Sequence, residues 1–444
     1  MLVSEFDSIY ESISNTAFPG FEGIKIEKYL AIGFYYFSVE SNKDKKPSRF
    51  KQKRSLLFNS ISEIAHYDFN IIEQGKAMLF YCASHGLRSD YIDTINGVLS
   101  TNKNVFSLTG KELSGFRRRI VWGRTSFRCL CYISVWRKLL GKCGLTGDML
   151  EYFILKLVTG YTWLSVLRRN KALLMKCAAI ITFFDAEETE NLLVQYAVQL
   201  KIPTATLQHG HYSYDVQTGG DKTKYNFAFE GFVSDEFWGW GQYFKDEALA
   251  AGIPEDRIKL VGCPYNIGYS AEENDSAVSV IGVLLDGGTA SIPKNYNMIK
   301  IVLAFAQNHN YKVIIKPHPG HDPLYYIDKI EQEELQRVEL QRVEILTIPV
   351  YEYANKVEFS ICGNSSVFLE LIMKGKRCFR YCISKENDIY RRMNTPQFSS
   401  LEELETIVES EGALDCAEIC AYLNAPGDIA QNYHKAISNL CGNV

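Results

Sequence analysis

The sequence predicts an α/β protein built as two halves, each a mostly parallel sheet with right-handed helical crossovers. Three observations lead there. Ala178-Ala-Ile-Ile-Thr-Phe-Phe184 and Ile202-Pro-Thr-Ala-Thr-Leu-Gln208 are strand-like runs separated by a helical stretch, Asn191 to Leu200, which makes a βαβ unit. A second series starts at Val278–Leu285 and runs through a helix, Tyr296–His309, to the strand Tyr311–Ile315. Between the two series, Ala271-Glu-Glu-Asn-Asp-Ser276 is polar and aperiodic, as a linker would be. The expected domains are 1–270, in which residues 1–170 form a less defined extension, 277–425, and a terminal helix over 426–444. Ligand is expected in a cleft between the halves, at the carboxyl ends of the strands.

Composition bounds the function classes. The chain has 444 residues, is 46% hydrophobic and 23% charged, and carries a net charge of -4. That is an ordinary globular balance with no global attraction for nucleic acid or an anionic membrane. The twelve cysteines are scattered without metal-site spacing and read as reduced core thiols, which points to the cytoplasm. No basic-then-apolar leader and no run of 18 apolar residues is found, so neither a signal peptide nor a spanning helix is expected.

In chain order, Ala31-Ile-Gly-Phe-Tyr-Tyr-Phe-Ser38 reads as a strand. Phe116 to Lys142 carries Arg117, Arg118, Arg119, Arg124, Arg128, Arg137, Lys138 and Lys142 with no acid, interleaved with Trp122, Trp136 and other apolar residues. Such a stretch is either a helix whose arginines are solvated or paired elsewhere, or a contact for an anionic lipid surface or a lipid-diphosphate-linked acceptor. Gln208-His209-Gly210-His211-Tyr212 closes the second strand of the first half. His209 there suits a general base, with Asp185, Glu187 and Glu188 as rival carboxylates or its support.

In the second half, Asp286-Gly287-Gly288-Thr289 follows the first strand, either as a plain turn or as a close approach of backbone to ligand. Val313-Ile-Ile315 is a β-branched run. Lys316-Pro-His318-Pro319-Gly-His321-Asp-Pro323 then puts three prolines and a glycine into eight residues, which stops the strand. Lys316 and His318 therefore sit at a strand's carboxyl end. Gly363-Asn364-Ser365-Ser366 opens a helix, as an ordinary cap or as a phosphate site. Glu370, one turn further, is a solvated acid or an acceptor for ribose hydroxyls. Ile327 to Val343 is charged and, with the tandem Leu-Gln-Arg-Val-Glu at 335–339 and 340–344, reads as an exposed helix, and Leu401–Glu409 and Cys416–Leu440 read as terminal helices.

Lys-Pro-His-Pro followed some 45 residues on by the Ser-Ser helix start resembles the GT-B glycosyltransferases of bacterial surface polysaccharides, over roughly residues 178–381. Sialyl-, Kdo- and glycerophosphotransferases of that group share such His-Pro and Ser-Ser motifs. The resemblance implies a GT-B fold, a CMP-, CDP- or UDP-linked donor held by His318, Pro319, Ser365 and Ser366, and no metal or other cofactor. Trp240-Gly241, Ala251-Gly-Ile-Pro254 and Val261-Gly-Cys-Pro264 are similar to the end of the N-terminal domain in these enzymes, and Gln208-His209-Gly210 to a His-Gly loop near the acceptor. A saccharide or lipid-linked acceptor and a peripheral membrane position are implied. The acidic-acidic-glycine motif of sialyltransferases is not evident. The alternatives are a non-hydrolysing UDP-N-acetylglucosamine 2-epimerase, against which Met1 to Tyr10 lacks a glycine loop after a strand, and a non-catalytic assembly protein.

Overall fold

The computed structural model describes residues 3–41, 67–82, 89–110, 129, 131–214, 228–264, 279–287, 291–318, 343–348, 350–365, 367–382, 390, 393, 395–409 and 416–442. The chain divides into two compact units. The first comprises Met1–Trp240, Phe244–Pro264 and Gly427–Val444, and the second Gly241–Tyr243 and Tyr265–Pro426.

The first unit holds six strands: β1 (Ala77–Tyr81), β2 (Val105–Thr109), β3 (Ala179–Thr182), β4 (Thr204–Leu207), β5 (Glu236–Gly239) and β6 (Ile258–Leu260). They pair in the order β2-β1-β3-β4-β5-β6, all parallel. Strands β1, β3 and β4 are buried along their whole length, because crossover helices cover both faces. Such strands read as unbroken apolar runs, and the order reverses between β1 and β3.

The second unit holds β7 (Val280–Leu284), β8 (Lys312–Lys316), β9 (Val343–Ile345), β10 (Phe359–Cys362), β11 (Cys378–Tyr381) and β12 (Gln397–Phe398). Their order is β12-β11-β10-β7-β8-β9, again all parallel. This is the doubly wound arrangement, with its reversal between β7 and β10. The helix Ile292–His309 begins with Pro293 in its first turn and ends at Asn310, whose φ of 61° closes it in the left-handed conformation.

Several expectations are corrected. Ala31–Ser38 lies inside the helix Ile26–Ser41. Leu30 through Phe34 are buried on every side, so no helical period shows, and a short all-apolar run looks the same in strand or helix. Phe34 packs 4.4 Å from Phe153 between ring centroids, and the Tyr29 hydroxyl donates to the Lys156 carbonyl. The described stretch of the basic aromatic segment, 131–142, is helical, and Trp136 is fully buried, donating its indole N–H to Pro19 O at 2.9 Å. Arg137 forks onto Glu151. That segment therefore packs inward and pairs its arginine within the unit. Arg117, Arg118, Arg119 and Trp122 lie outside the described residues, as do 327–342. Val343 and Glu344, expected at the end of an exposed helix, instead begin the strand β9, paired with β8. Cys416–Leu440 is two helices, Cys416–Leu423 and Ile429–Gly442. The latter returns to the first unit, where Tyr433 donates to Gly262 O and packs edge-on against Trp238.

The first sheet also begins earlier than the sequence suggested, at β1. The loop to compare with a glycine-loop start is therefore the one after Tyr81, and the absence of such a loop in Met1–Tyr10 carries no weight against the epimerase reading.

Gly282 in β7 shows how tightly the second sheet is packed. A Cβ there would stand 2.1 Å from the hydroxyl of buried Tyr353, which donates to Ile314 O at 3.2 Å. Gly282→Ala should cost about 1–3 kcal/mol by overpacking. In urea unfolding, pairing it with Tyr353→Phe should cost less than the two single changes summed. Full additivity would mean that the two side chains do not meet.

Candidate functional site

The carboxyl ends of the second sheet gather most of the described candidate residues around its switch point. Asp286 leaves β7 and is pinned to the first turn of the helix Ile292–His309. Its amide donates to Asn295 Oδ1 at 3.0 Å, and Asn295 Nδ2 returns a bond to its carbonyl at 2.9 Å. Asp286 Oδ2 accepts the Asn364 amide at 2.9 Å and lies 3.4 Å from Lys294 Nζ. The carboxylate thus crosses from β7 to β10. The crossing demands glycine at 363, where a Cβ would stand 2.2 Å from Asp286 Oδ2.

Gly287 is constrained in the same way. A Cβ there would meet three atoms of the His318 ring at 2.8 to 2.9 Å. The imidazole from the end of β8 therefore lies directly on the backbone after β7. Lys316 is the buried last residue of β8 and accepts the Leu285 amide on its carbonyl. Asn364 is held from its other side by Arg380 of β11, which donates to Asn364 Oδ1 and to Thr395 Oγ1, each at 3.2 Å. Arg380 is fully buried, with the Tyr390 ring 4.5 Å from its guanidinium carbon. The Tyr390 hydroxyl donates to Ser365 O at 2.6 Å. Ser365 Oγ accepts the Val367 amide at a long 3.4 Å, a capping geometry.

The structure therefore brings Gly287, His318, Asn364 and Ser365 together around Asp286. Glu370 sits half-buried on the helix Val367–Met373. Gly288, Thr289, Pro319 and Ser366 lie outside the described residues. Sequence reading missed the roles of Asp286, Lys294, Asn295 and Arg380. A lone arginine in the apolar run Cys378–Tyr381 was the available signal, since a buried cation needs partners.

In the first unit, His209 follows β4. Its ring packs against Phe183 and Phe184, each at 4.7 Å, and against Tyr91 and Tyr212, each at 5.6 Å. Its Nδ1 lies 2.8 Å from the Tyr212 hydroxyl. Gln208 is occupied by Trp240, accepting the backbone and indole N–H groups on its side chain and carbonyl. Asp185 is buried and accepts on one oxygen from the Val233 and Ser234 amides and the Ser234 hydroxyl, at 2.7 to 3.0 Å. This is a clamp on the 233–234 turn made by Oδ2 alone; the buried Oδ1 makes no hydrogen bond among the described residues. Glu188 pairs with Lys156 at 2.9 Å. Glu190, also buried, accepts the Cys82 and Phe184 amides.

No protein-family model and no curated protein matches the chain. Solved structures do. MnaA of S. aureus, solved with UDP, is 11% identical with a TM-score of 0.51, over 82% of this chain and 96% of its own. The UDP-GlcNAc 2-epimerase of Neisseria meningitidis, bound to UDP-GlcNAc, is 14% identical with a TM-score of 0.51, over 83% of this chain and 100% of its own. The kitacinnamycin glycosyltransferase is 9% identical with a TM-score of 0.50, over 83% and 98%. The fold is the two-domain Rossmann-like GT-B fold. At these identities the likeness concerns architecture.

Burial pushes the Asp185 carboxyl up to about 6, against the hydrogen bonds from Val233 and Ser234 that favour the charged form; the nearby Glu190 adds a smaller upward push. The folded protein thus holds this proton more tightly than the unfolded chain does. The ionisation penalty is absent below the ordinary carboxyl value and is complete above about 6. Between pH 4.5 and 7.5 the wild type should lose about 2 kcal/mol of stability relative to Asp185→Asn. A pH-independent difference in urea titrations would show that Asp185 ionises normally in the fold.

Proposed function

We propose that the protein is a glycosyltransferase. It would move a sugar, or a sugar-like polyol phosphate, from a CMP-, CDP- or UDP-linked donor to a saccharide or lipid-linked acceptor of a surface polysaccharide. One observation carries the reading: the polar cradle at the β7/β10 reversal, with His318 laid on Gly287 and Asn364 fixed by Asp286 and Arg380. In open α/β sheets that crevice is where nucleotides bind. The solved structures with this architecture include proteins bound to UDP and to UDP-GlcNAc, which supports a nucleotide-activated donor.

The roles follow from chemistry. A departing nucleotide carries new charge on its phosphate, and fixed donors and cations stabilise it without reorganising. Lys316 and His318, with the Asn364–Ser366 loop, would supply them, with Gly287, Gly288 and Thr289 lining the approach and Glu370 accepting from ribose hydroxyls. His209 would handle a proton on the acceptor side, with Asp185, whose Oδ1 makes no hydrogen bond among the described residues, as the rival carboxylate or its support. Among the described residues no helix is long and apolar enough to cross a membrane. Arg117, Arg118, Arg119 and Trp122 would hold the protein against an anionic bilayer or a lipid-diphosphate acceptor.

A second reading, epimerisation of UDP-GlcNAc, is favoured by the several solved epimerases of this architecture. Incubation with labelled UDP-, CDP- and CMP-linked sugars separates the two: transfer to a saccharide or lipid-linked acceptor supports the proposal, and an epimer without acceptor supports the rival.

With a working donor, His318→Ala should abolish turnover while the protein still unfolds cooperatively. His209→Ala should slow transfer by about 10²-fold or more while donor affinity stays within a few-fold. Unchanged turnover in His318→Ala at saturating donor would remove it from the donor site.

The membrane role has its own check. Replacing Arg117, Arg118 and Arg119 by Ser should weaken flotation with phosphatidylserine vesicles by about 1 kcal/mol per charge, and added salt should mimic the change. Wild-type protein that ignores such vesicles at low salt would leave these arginines to another partner.

A further inference from the structure

His209 is the one first-unit residue assigned a proton above, so the position of its own proton decides what it can do. A neutral imidazole donates from one nitrogen and accepts on the other, and the partner of the first fixes the role of the second. The partner here is the Tyr212 hydroxyl, 2.8 Å from Nδ1.

The surroundings fix which way that bond runs. Tyr212 is buried, and burial, with Asp185, Tyr91 and Glu190 nearby, holds its phenol proton on. Among the described residues, the hydrogen-bond partner of that hydroxyl is His209 Nδ1. Had Nδ1 carried a hydrogen, it would donate to the phenol oxygen, and the buried phenol proton would lose this acceptor. A buried donor left without a partner is strongly disfavoured. Rotating the ring about its bond to the chain would put carbon against the hydroxyl, and the four packed aromatic rings oppose such a turn.

We infer that Tyr212 is a positioning residue that fixes His209 as the Nε2–H tautomer, so that His209 offers a hydrogen-bond donor to a substrate oxygen and does not act as the resting base. The use of that donor in sugar transfer rests on the function proposed above. The tautomer does not, and it can be measured in the protein alone.

The test is a long-range ¹H–¹⁵N spectrum of histidine-labelled full-length protein at pH 8, with the His209 signals assigned by their loss in His209→Gln. Wild type should show a protonated, pyrrole-type Nε2 and a pyridine-type Nδ1. In Tyr212→Phe the Nδ1 signal should shift and the single tautomer should give way to a mixture. A pyrrole-type Nδ1 in wild type would overturn the inference even if the variant fails to fold. So would a folded Tyr212→Phe whose His209 signals match wild type. An active transferase with the wrong tautomer would refute the lock and leave the function standing. The right tautomer in a protein that transfers nothing would do the reverse.

Discussion

The end of β7 is tied to the end of β10 by one carboxylate. Asp286 takes the Asn364 amide on Oδ2 while its own backbone is held by Asn295. This bond spans the place where the strand order reverses and the two loops diverge. Everything assigned to the donor follows from it. Gly363 has to be glycine because the carboxylate occupies the space of a side chain, and His318 can lie on Gly287 because that backbone is fixed in turn. Arg380 then holds the far side of Asn364, so the loop is set from both edges before any ligand arrives. Preorganised polar groups of this kind bind charge with little further ordering.

The first unit uses a comparable device at its own reversal. Glu190 accepts the amide after β1, from Cys82, and the amide after β3, from Phe184. In both sheets a buried carboxylate closes the gap where neighbouring strands send their crossovers to opposite faces. Amides there have no next strand to pair with, and a buried amide needs an acceptor. The first unit spends Asp185 similarly on the turn at Val233 and Ser234. Beyond β4, His209 sits in its aromatic surround of Tyr91, Phe183, Phe184 and Tyr212.

The α/β architecture was legible because parallel strands are covered on both faces and therefore read as unbroken apolar runs, as at Ala179–Thr182 and Val313–Ile315. The same property hid the helix in Ala31–Ser38: with Leu30 through Phe34 all buried, no helical period shows there. In the described part of the basic aromatic segment, Trp136 is buried and donates to Pro19 while Arg137 pairs with Glu151, partners that lie far off in sequence and leave no local pattern. At the site, proline and glycine marked where loops begin, so Gly287, His318 and Asn364 could be found. The roles of Asp286, Glu190, Lys294 and Tyr212 could not. Each acts through a partner far away in sequence or through burial, and neither leaves a local pattern.

The central claim is that the reversal between β7 and β10 receives the nucleotide of an activated sugar. Hydrogen–deuterium exchange with and without saturating UDP, CDP or CMP tests it most directly, because exchange reports each backbone amide in place. The account predicts that one of the three slows exchange in the segments around 284–287, 316–318 and 363–365, and leaves 182–185 and 207–212 unchanged. Protection confined to the strand ends of the first unit, with the β7 and β10 loops unaffected, would contradict it.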